Sequence, residues 1–375
     1  MNRLLAIGRK ELLQLKRDRM TLAMMVMLPL VQMLLFGYAI NNDVRHIPTV
    51  VFDQDHTAAS RDLAQRMIAT GYYEHVAEVD GYDEIARALR SGRAKVALVV
   101  PPGYGSGATL GRGATVQLVV DGSDPQTVGS ATSTAASILA ERSTEMLQTR
   151  MRQAGVGGVG AGLRVEATVW YNPEQRTAVH VVPGLIGVIL TMTMVMLTAM
   201  AIARERERGT LEALIVSPAR PIEIIVGKII PYIIIGYVQM TLVLMVGNAV
   251  FRVPLQGSLG LLYACSMVFI AASLAVGLVF STVAKTQQQA MQMSFFFLLP
   301  NILLSGFMFP FEGMPRPAQW LSSALPLTHF MRIVRRITLQ GAGFPDVAEE
   351  LMWLGVILVV VVAIAAARFK KKLVT

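Results

Sequence analysis

The chain has 375 residues, 53% of them hydrophobic and 16% charged, with a formal net charge of +9. That balance excludes an ordinary soluble globular protein of this length and points to an integral membrane protein. The basic residues cluster beside long apolar runs, where they set orientation and meet anionic headgroups of a lipid bilayer, so no nucleic-acid partner is expected.

Residues 1–19 carry Arg3, Arg9, Lys10, Lys16, Arg17 and Arg19, with Leu5, Gly8, Leu12 and Leu15 on one helical face. This is the pattern of an amphipathic helix lying in the headgroup plane. Residues 20–40 form a first apolar span, long enough for a hydrocarbon core of roughly 30 Å. Its basic flank places the N-terminus in the cytosol.

The character changes over residues 41–178, where charges and glycines return and nothing could cross a membrane. Ile47–Phe52, Lys95–Val100, Thr115–Val120 and Arg164–Tyr171 read as strands. Ser60–Ala69, Asp83–Arg90 and the longer Gln126–Gln153 read as helices, and Gly155–Gly162 as a flexible linker. The alternation predicts an extracytoplasmic α/β domain. Asp53-Gln54-Asp55 and Asp121-Gly122-Ser123-Asp124 follow strands and read as turns rather than cation sites. Gly103–Gly113 looks phosphate-binding but lacks a following apolar helix, so a hairpin or loop is expected. Cys265 is the lone cysteine and the five histidines show no ligand spacing, so no metal site is expected.

Further apolar runs follow at 179–203, 222–250, 259–284, 291–311 and 349–368, ahead of a basic tail at 369–375. The expected fold is therefore an α-helical integral membrane protein with six transmembrane helices, carrying an α/β domain inserted between helices 1 and 2. Both termini are then cytosolic. Residues 312–348 are too polar and too broken by proline for a span and read as re-entrant half-helices. Arg332, Arg335 and Arg336 fall there on the outer side, against the positive-inside tendency, and are expected at the outer headgroup level.

Between the second and third spans lies the stretch at 204–221. Its consecutive charges, Arg204 to Arg208, belong in water because each costs a few kcal/mol at the bilayer centre. Gly209 breaks the preceding helix, Thr210 can cap a new one, and Glu212 suits its first turn. Leu211 to Val216 give about two turns before Ser217-Pro218 stops them. A short capped helix with an apolar face, held at the membrane surface, suits a groove in a soluble partner.

Spans two and five carry adaptable side chains: Thr191, Met192, Met196 and Thr198 on one, Phe295, Phe296 and Asn301 on the other. Taken singly each is best read as packing or lipid contact. Grouped at a dimer seam they would make a route for an amphiphile. The spans hold almost no ionisable residue at mid-depth, which favours energy supplied from outside the chain over ion coupling.

The chain resembles the membrane subunits of bacterial ABC-type exporters, the ABC-2 superfamily, and within it the branch with a large extracytoplasmic domain between spans one and two. The resemblance rests on Lys10-Glu11 and Arg17-Asp18, Trp170-Tyr171-Asn172-Pro173-Glu174, and Pro183-Gly184-Leu185-Ile186. It continues in Glu207-Arg208-Gly209-Thr210-Leu211-Glu212, Ser305-Gly306-Phe307 with Phe309-Pro310 and Met314-Pro315, and Pro326-Leu327-Thr328-His329-Phe330. It implies a transport subunit that binds no cofactor of its own. ATP and Mg would sit on a separate ABC ATPase subunit, present in two copies. The absence of a G-x-x-x-x-G-K-[ST] loop agrees independently.

The resemblance further makes the short cytosolic helix the coupling element, with Glu207, Gly209, Thr210, Leu211, Glu212, Leu214, Ser217 and Pro218 facing the ATPase. It implies a second permease subunit, identical or related, a bacterial inner-membrane location, drug-like or amphiphilic cargo, and room for a periplasmic adaptor. Two other classes fit the residues less well: a membrane-anchored sensor using the α/β domain for a ligand, and an ion-coupled antiporter.

Overall fold

The computed structural model describes residues 44–110, 112–154, 161–207, 209 and 221–372. The expected surface helix at 1–19 and first span at 20–40 lie outside them. A five-stranded sheet comes first, built from β1 (Ile47–Asp53), β2 (Tyr73–Glu78), β3 (Val96–Val100), β4 (Arg112–Asp121) and β5 (Ala161–Trp170). The spatial order is β2-β1-β3-β4-β5. All neighbours run parallel except β3 and β4, which pair antiparallel from Val96↔Val120 to Val99↔Gln117. The Val-Ala-Leu-Val-Val of β3 is buried throughout, as a central strand covered on both faces requires.

Helices α1 (Ala58–Ala69), α2 (Tyr82–Arg90), α3 (Tyr104–Leu110) and α4 (Pro125–Ala154) cover the sheet. Leu63, Met67, Val128 and Leu139 meet Leu98, Val116 and Leu118 on one face. Ile85, Ala88 and Leu89 meet Val50, Ala97, Val99 and Val119 on the other. α1 starts with a capping box, Thr57 Oγ1 accepting from Ser60 N and Ser60 Oγ accepting from Thr57 N.

Three expectations change here. Strand β2 escaped notice because only Tyr73 is buried and the other residues of this edge strand face water, leaving no apolar alternation to read. The linker read at 155–162 ends early, since Ala161 and Gly162 already belong to β5; residues 155–160 are outside the described set. The stretch from Gly103 is a helix, not a hairpin or loop. Asp55 supplies what the sequence seemed to lack. Its Oδ1 accepts from Gly103 N at 2.7 Å, and its Oδ2 from Gly105 N at 2.8 Å and Thr57 Oγ1 at 2.6 Å. Burial opposes the Asp55 charge, but the Thr57 hydroxyl and these amides outweigh it and hold its pKa below the usual carboxylate range. Asp55→Ala leaves two amides without that acceptor. It is expected to cost about 1–3 kcal/mol in urea unfolding of the purified chain, with Asp55→Asn in between.

The helical half comprises α5 (Thr177–Glu207), α6 (Pro221–Ala249), α7 (Leu259–Val283), α8 (Gln287–Leu304), a 3₁₀ turn (Phe311–Gly313), α9 (Arg316–Ser323), α10 (Pro326–Gln340) and α11 (Phe344–Lys372). Among the described residues four helices are long and apolar enough to cross a membrane: Thr177–Glu207, Pro231–Ala249, Leu259–Val283 and Phe344–Arg368. The first and third are central, the other two peripheral. The run read as a span at 291–311 is helical only as Gln287–Leu304. Thr286 caps its start, and Ser305 followed by left-handed Gly306 ends it, leaving 18 residues. At 1.5 Å per residue that is about 27 Å.

The amphipathic α10 sits in the middle of the bundle. Leu327, Phe330, Ile333, Val334 and Ile337 join Ile186, Leu190, Leu262 and Phe269 in one core. Phe330 stacks on Phe269 with ring centres 4.1 Å apart. Glycines make the close approaches possible. A Cβ on Gly184 would lie 2.5 Å from Phe307, one on Gly187 2.6 Å from Leu327, and one on Gly277 2.6 Å from the carbonyl oxygen of Val195. Small residues let membrane helices meet backbone to backbone in this way.

Candidate coupling end and helix seam

The C-terminal end of α5 is fastened to the start of α8 through one side chain, Gln287. Arg204 Nε donates to Gln287 Oε1 at 3.0 Å, while Gln287 Nε2 donates to Glu207 Oε2 at 3.0 Å and its backbone N to the same oxygen at 3.3 Å. A carboxylate at the first residue of α8 also suits the positive end of that helix. Arg206 Nη1 donates to the carbonyl of Ala284 at 2.6 Å. Ala199, Ala203, Ala284 and Ala290 form a small buried cluster beside these bonds. Gly209 stands in the left-handed region at φ +70, two residues past the helix end. Of the residues assigned to ATPase coupling, Glu207 and Gly209 are therefore placed. Thr210, Leu211, Glu212, Leu214, Ser217 and Pro218 lie outside the described residues.

The seven seam residues divide. Thr191 is buried and its hydroxyl donates to Gly187 O at 2.8 Å. Thr198 is buried with its Cβ beside Gly277 of α7, so it faces a neighbouring helix. Asn301 is wholly buried on α8; its Nδ2 donates to Phe297 O at 3.3 Å, and its Oδ1 has no partner among the described residues. Met192, Met196 and Phe296 are half-buried, and Phe295 is 47% exposed. α5 and α8 do pack together. One polar tie was not foreseen: Thr193 Oγ1 meets Gln239 Oε1 of α6 at 2.8 Å. Thr193 is one residue from the methionine series, and a Thr–Gln pair across helices has no local sequence signal.

The three arginines of α10 find their hydrogen-bond partners within the protein. Glu350 of α11, 6% exposed, receives His329 Nδ1 at 2.7 Å, Arg332 Nη1 at 3.1 Å and Arg336 Nη2 at 3.4 Å. His329 Nε2 meets Ser323 O at 2.9 Å, so both ring nitrogens face acceptors. Arg332 also lies over the Phe311 ring at 4.4 Å, and Arg336 Nη1 donates to Asp346 O at 3.0 Å. Arg335 Nη1 donates to Gly306 O at 2.9 Å. A guanidinium withdrawn from water is tolerated when its hydrogen bonds are met internally.

At the N-terminal end of α5 the α/β domain meets the helices through a polar junction. Lys95 pairs with Glu312 at 3.1 Å. Gln340 Nε2 donates to Asp121 Oδ2 at 2.8 Å. His180 Nδ1 lies 2.7 Å from Ser123 O, and its Nε2 lies 3.3 Å from Arg335 Nη2. The loop at 121–124 is thus a turn, as expected, but a buried and engaged one. Burial works against the Lys95 charge, yet Glu312, Asp124 and Asp121 outweigh it and hold the ammonium above the usual lysine range. Burial pushes Asp121 upward. It does so at Asp124 too, but there Lys95, Arg335 and His180 prevail and keep the carboxyl low. The aspartates were visible in the sequence; their partners, some 200 residues away, were not.

An α/β sheet region joined to a helical bundle with four membrane-length helices among the described residues is the architecture of a polytopic membrane protein. A family profile described as ABC-2 family transporter protein matches residues 19–367, and the chain belongs to that family. It is a permease of the ABC-transporter class, a membrane transport subunit rather than the ATPase. It is similar to the "Probable multidrug ABC transporter permease YbhR" of Escherichia coli K12, 31% identical over 371 residues and 99% of both chains. The "Probable multidrug ABC transporter permease YbhS" of the same strain is 27% identical over 341 residues, 90% of this chain and 89% of that one. Its "Inner membrane transport permease YhhJ" is 27% identical over 369 residues, 97% of this chain and 96% of that one.

Proposed function

We propose that this chain, paired with a second permease subunit of the same or a related kind, forms the translocation path of an ATP-driven exporter for drug-like or amphiphilic compounds. Six spans cross the inner membrane: residues 20–40, α5, α6, α7, α8 and α11. The termini lie in the cytosol and the α/β domain outside it. Two copies of an ABC ATPase subunit, carrying ATP and Mg, dock on the helix within 209–217. The multidrug wording in the names of YbhR and YbhS supports the cargo class.

The observation that carries the reading is the course of α5. It runs as one helix from the junction at His180 to the fastening at Glu207. A pull at Gly209 therefore reaches α8 through Gln287 and the domain junction through the helix itself. Such a helix can tilt between two packed positions as the partner ATPases close. Met192, Met196, Phe295 and Phe296 then line the seam between permease subunits, where methionine and phenylalanine adapt to varied apolar cargo. Thr191, Thr198 and Asn301 hold the seam helices in place behind them.

Replacing Gly209–Ser217 with a flexible Gly-Ser linker tests this. The variant is expected to reach the membrane, fail to co-purify with its ATPase, and lose ATP-driven uptake of an amphiphilic dye into inverted vesicles. Retained association together with retained uptake would remove the coupling role.

A further inference from the structure

We infer that His180 is the positioning residue that ties the α/β domain to α5, and that it does so only while its imidazole is neutral. The hydrogen-bond chemistry fixes the tautomer. The carbonyl of Ser123 can only accept, so Nδ1 carries a hydrogen and donates to it across 2.7 Å. The guanidinium of Arg335 can only donate, so Nε2, 3.3 Å from Nη2, is the bare acceptor. A ring gripped in this way has room for one proton, not two. A second proton removes the acceptor and sets two cations 3.3 Å apart.

Every charge facing this ring comes from a different element. Arg335 stands on α10, Asp124 ahead of α4 and Lys95 ahead of β3; Asp121 at the end of β4 and Glu312 of the 3₁₀ turn act on Arg335 behind it. Arg176, one residue before α5, is turned away and donates to Phe251 O. Among the described residues no carboxylate is hydrogen-bonded to the ring. Asp124 is occupied by Gln126 N at 3.1 Å and Thr127 Oγ1 at 3.0 Å. Protonated, the ring is pushed off Arg335 and Lys95, and the first turn of α5 moves away with it and loses its hold on the 121–124 loop. Lys95–Glu312 and Gln340–Asp121 remain, so the domain stays on α10 while α5 comes free. The tie at His180 therefore yields to mild acid.

That α5 passes its movement to the domain through this tie rests on the export reading; the tie itself does not. Hydrogen exchange of the full chain in lipid nanodiscs reads it directly, in the peptides around 121–128 and 177–183. After correction for intrinsic rates, wild-type protection is expected to fall roughly tenfold between about pH 7.5 and about pH 5.5. The Gln amide of His180→Gln donates and accepts but does not titrate, so its profile is expected to be flat. His180→Lys is expected to be unprotected throughout. The same comparison removes any contribution from Asp121, whose raised pKa survives in the Gln variant; the low Asp124 titrates below this window. Parallel profiles for wild type and His180→Gln, or full protection in His180→Lys, overturn the assignment. If the tie behaves as stated but ATP-driven dye uptake is equally acid-sensitive with histidine and glutamine, the coupling role falls and the tie stands.

Discussion

Glu350→Ala is expected to cost the fold about 3–5 kcal/mol, the most of any single change in the membrane helices. The substitution leaves His329, Arg332 and Arg336 facing one another around a site only 6% exposed, with no anion among them. Removing one partner of a buried charge cluster is costly because the remaining charges have already left water. Glu350→Gln keeps an oxygen for Arg332 or Arg336 but not the charge, so an intermediate loss is expected. The measurement is the unfolding midpoint of the purified chain in detergent. A wild-type midpoint for Glu350→Ala would mean that α10 is not clasped to α11 through this carboxylate.

Gly277→Leu comes second, at about 3 kcal/mol, near the upper end for overpacking. The obstacle is backbone: a Cβ there lies 2.6 Å from the Val195 carbonyl and 2.9 Å from the Thr198 Cβ, and backbone cannot swing aside as a side-chain tip can. The expected consequence is separation of α5 from α7 at their crossing, with a lowered unfolding midpoint and loss of ATP-driven uptake together. Gly355→Leu on α11 is the control, because nothing lies within 4 Å of its added Cβ. Equal midpoints for the two variants would show that the α5–α7 crossing tolerates separation.

Much of this architecture was legible because it rests on local chemistry. Val-rich runs gave β1, β3, β4 and β5, and long apolar runs marked α5, α6, α7 and α11. The edge strand β2 stayed hidden because a strand with one buried residue carries no periodic signal. The helix at Tyr104 stayed hidden because its N-terminal amides are met by Asp55, some 50 residues earlier. At the site, Gly209 was readable from its place after a charged helix end, and it does take the left-handed conformation. The Gln287 fastening was not readable, since a glutamine binding Arg204 and Glu207 across about 80 residues leaves no trace in spacing. Thr198 and Asn301 read as candidate pathway residues because polarity inside an apolar run attracts notice. The structure buries both among packed helices.

The three arginines of α10 have a bearing on how the polypeptide is made. Arg332 and Arg336 leave the ribosome 18 and 14 residues ahead of the glutamate that neutralises them. A nascent chain halted between them would offer the insertion machinery a cationic segment that no bilayer welcomes. Glu350 supplies the shared acceptor for two of those cations. Residues 326–368 thus carry part-buried cations and the carboxylate that meets two of them on one continuous stretch, and Arg332 and Arg336 are met only once Glu350 has followed them out.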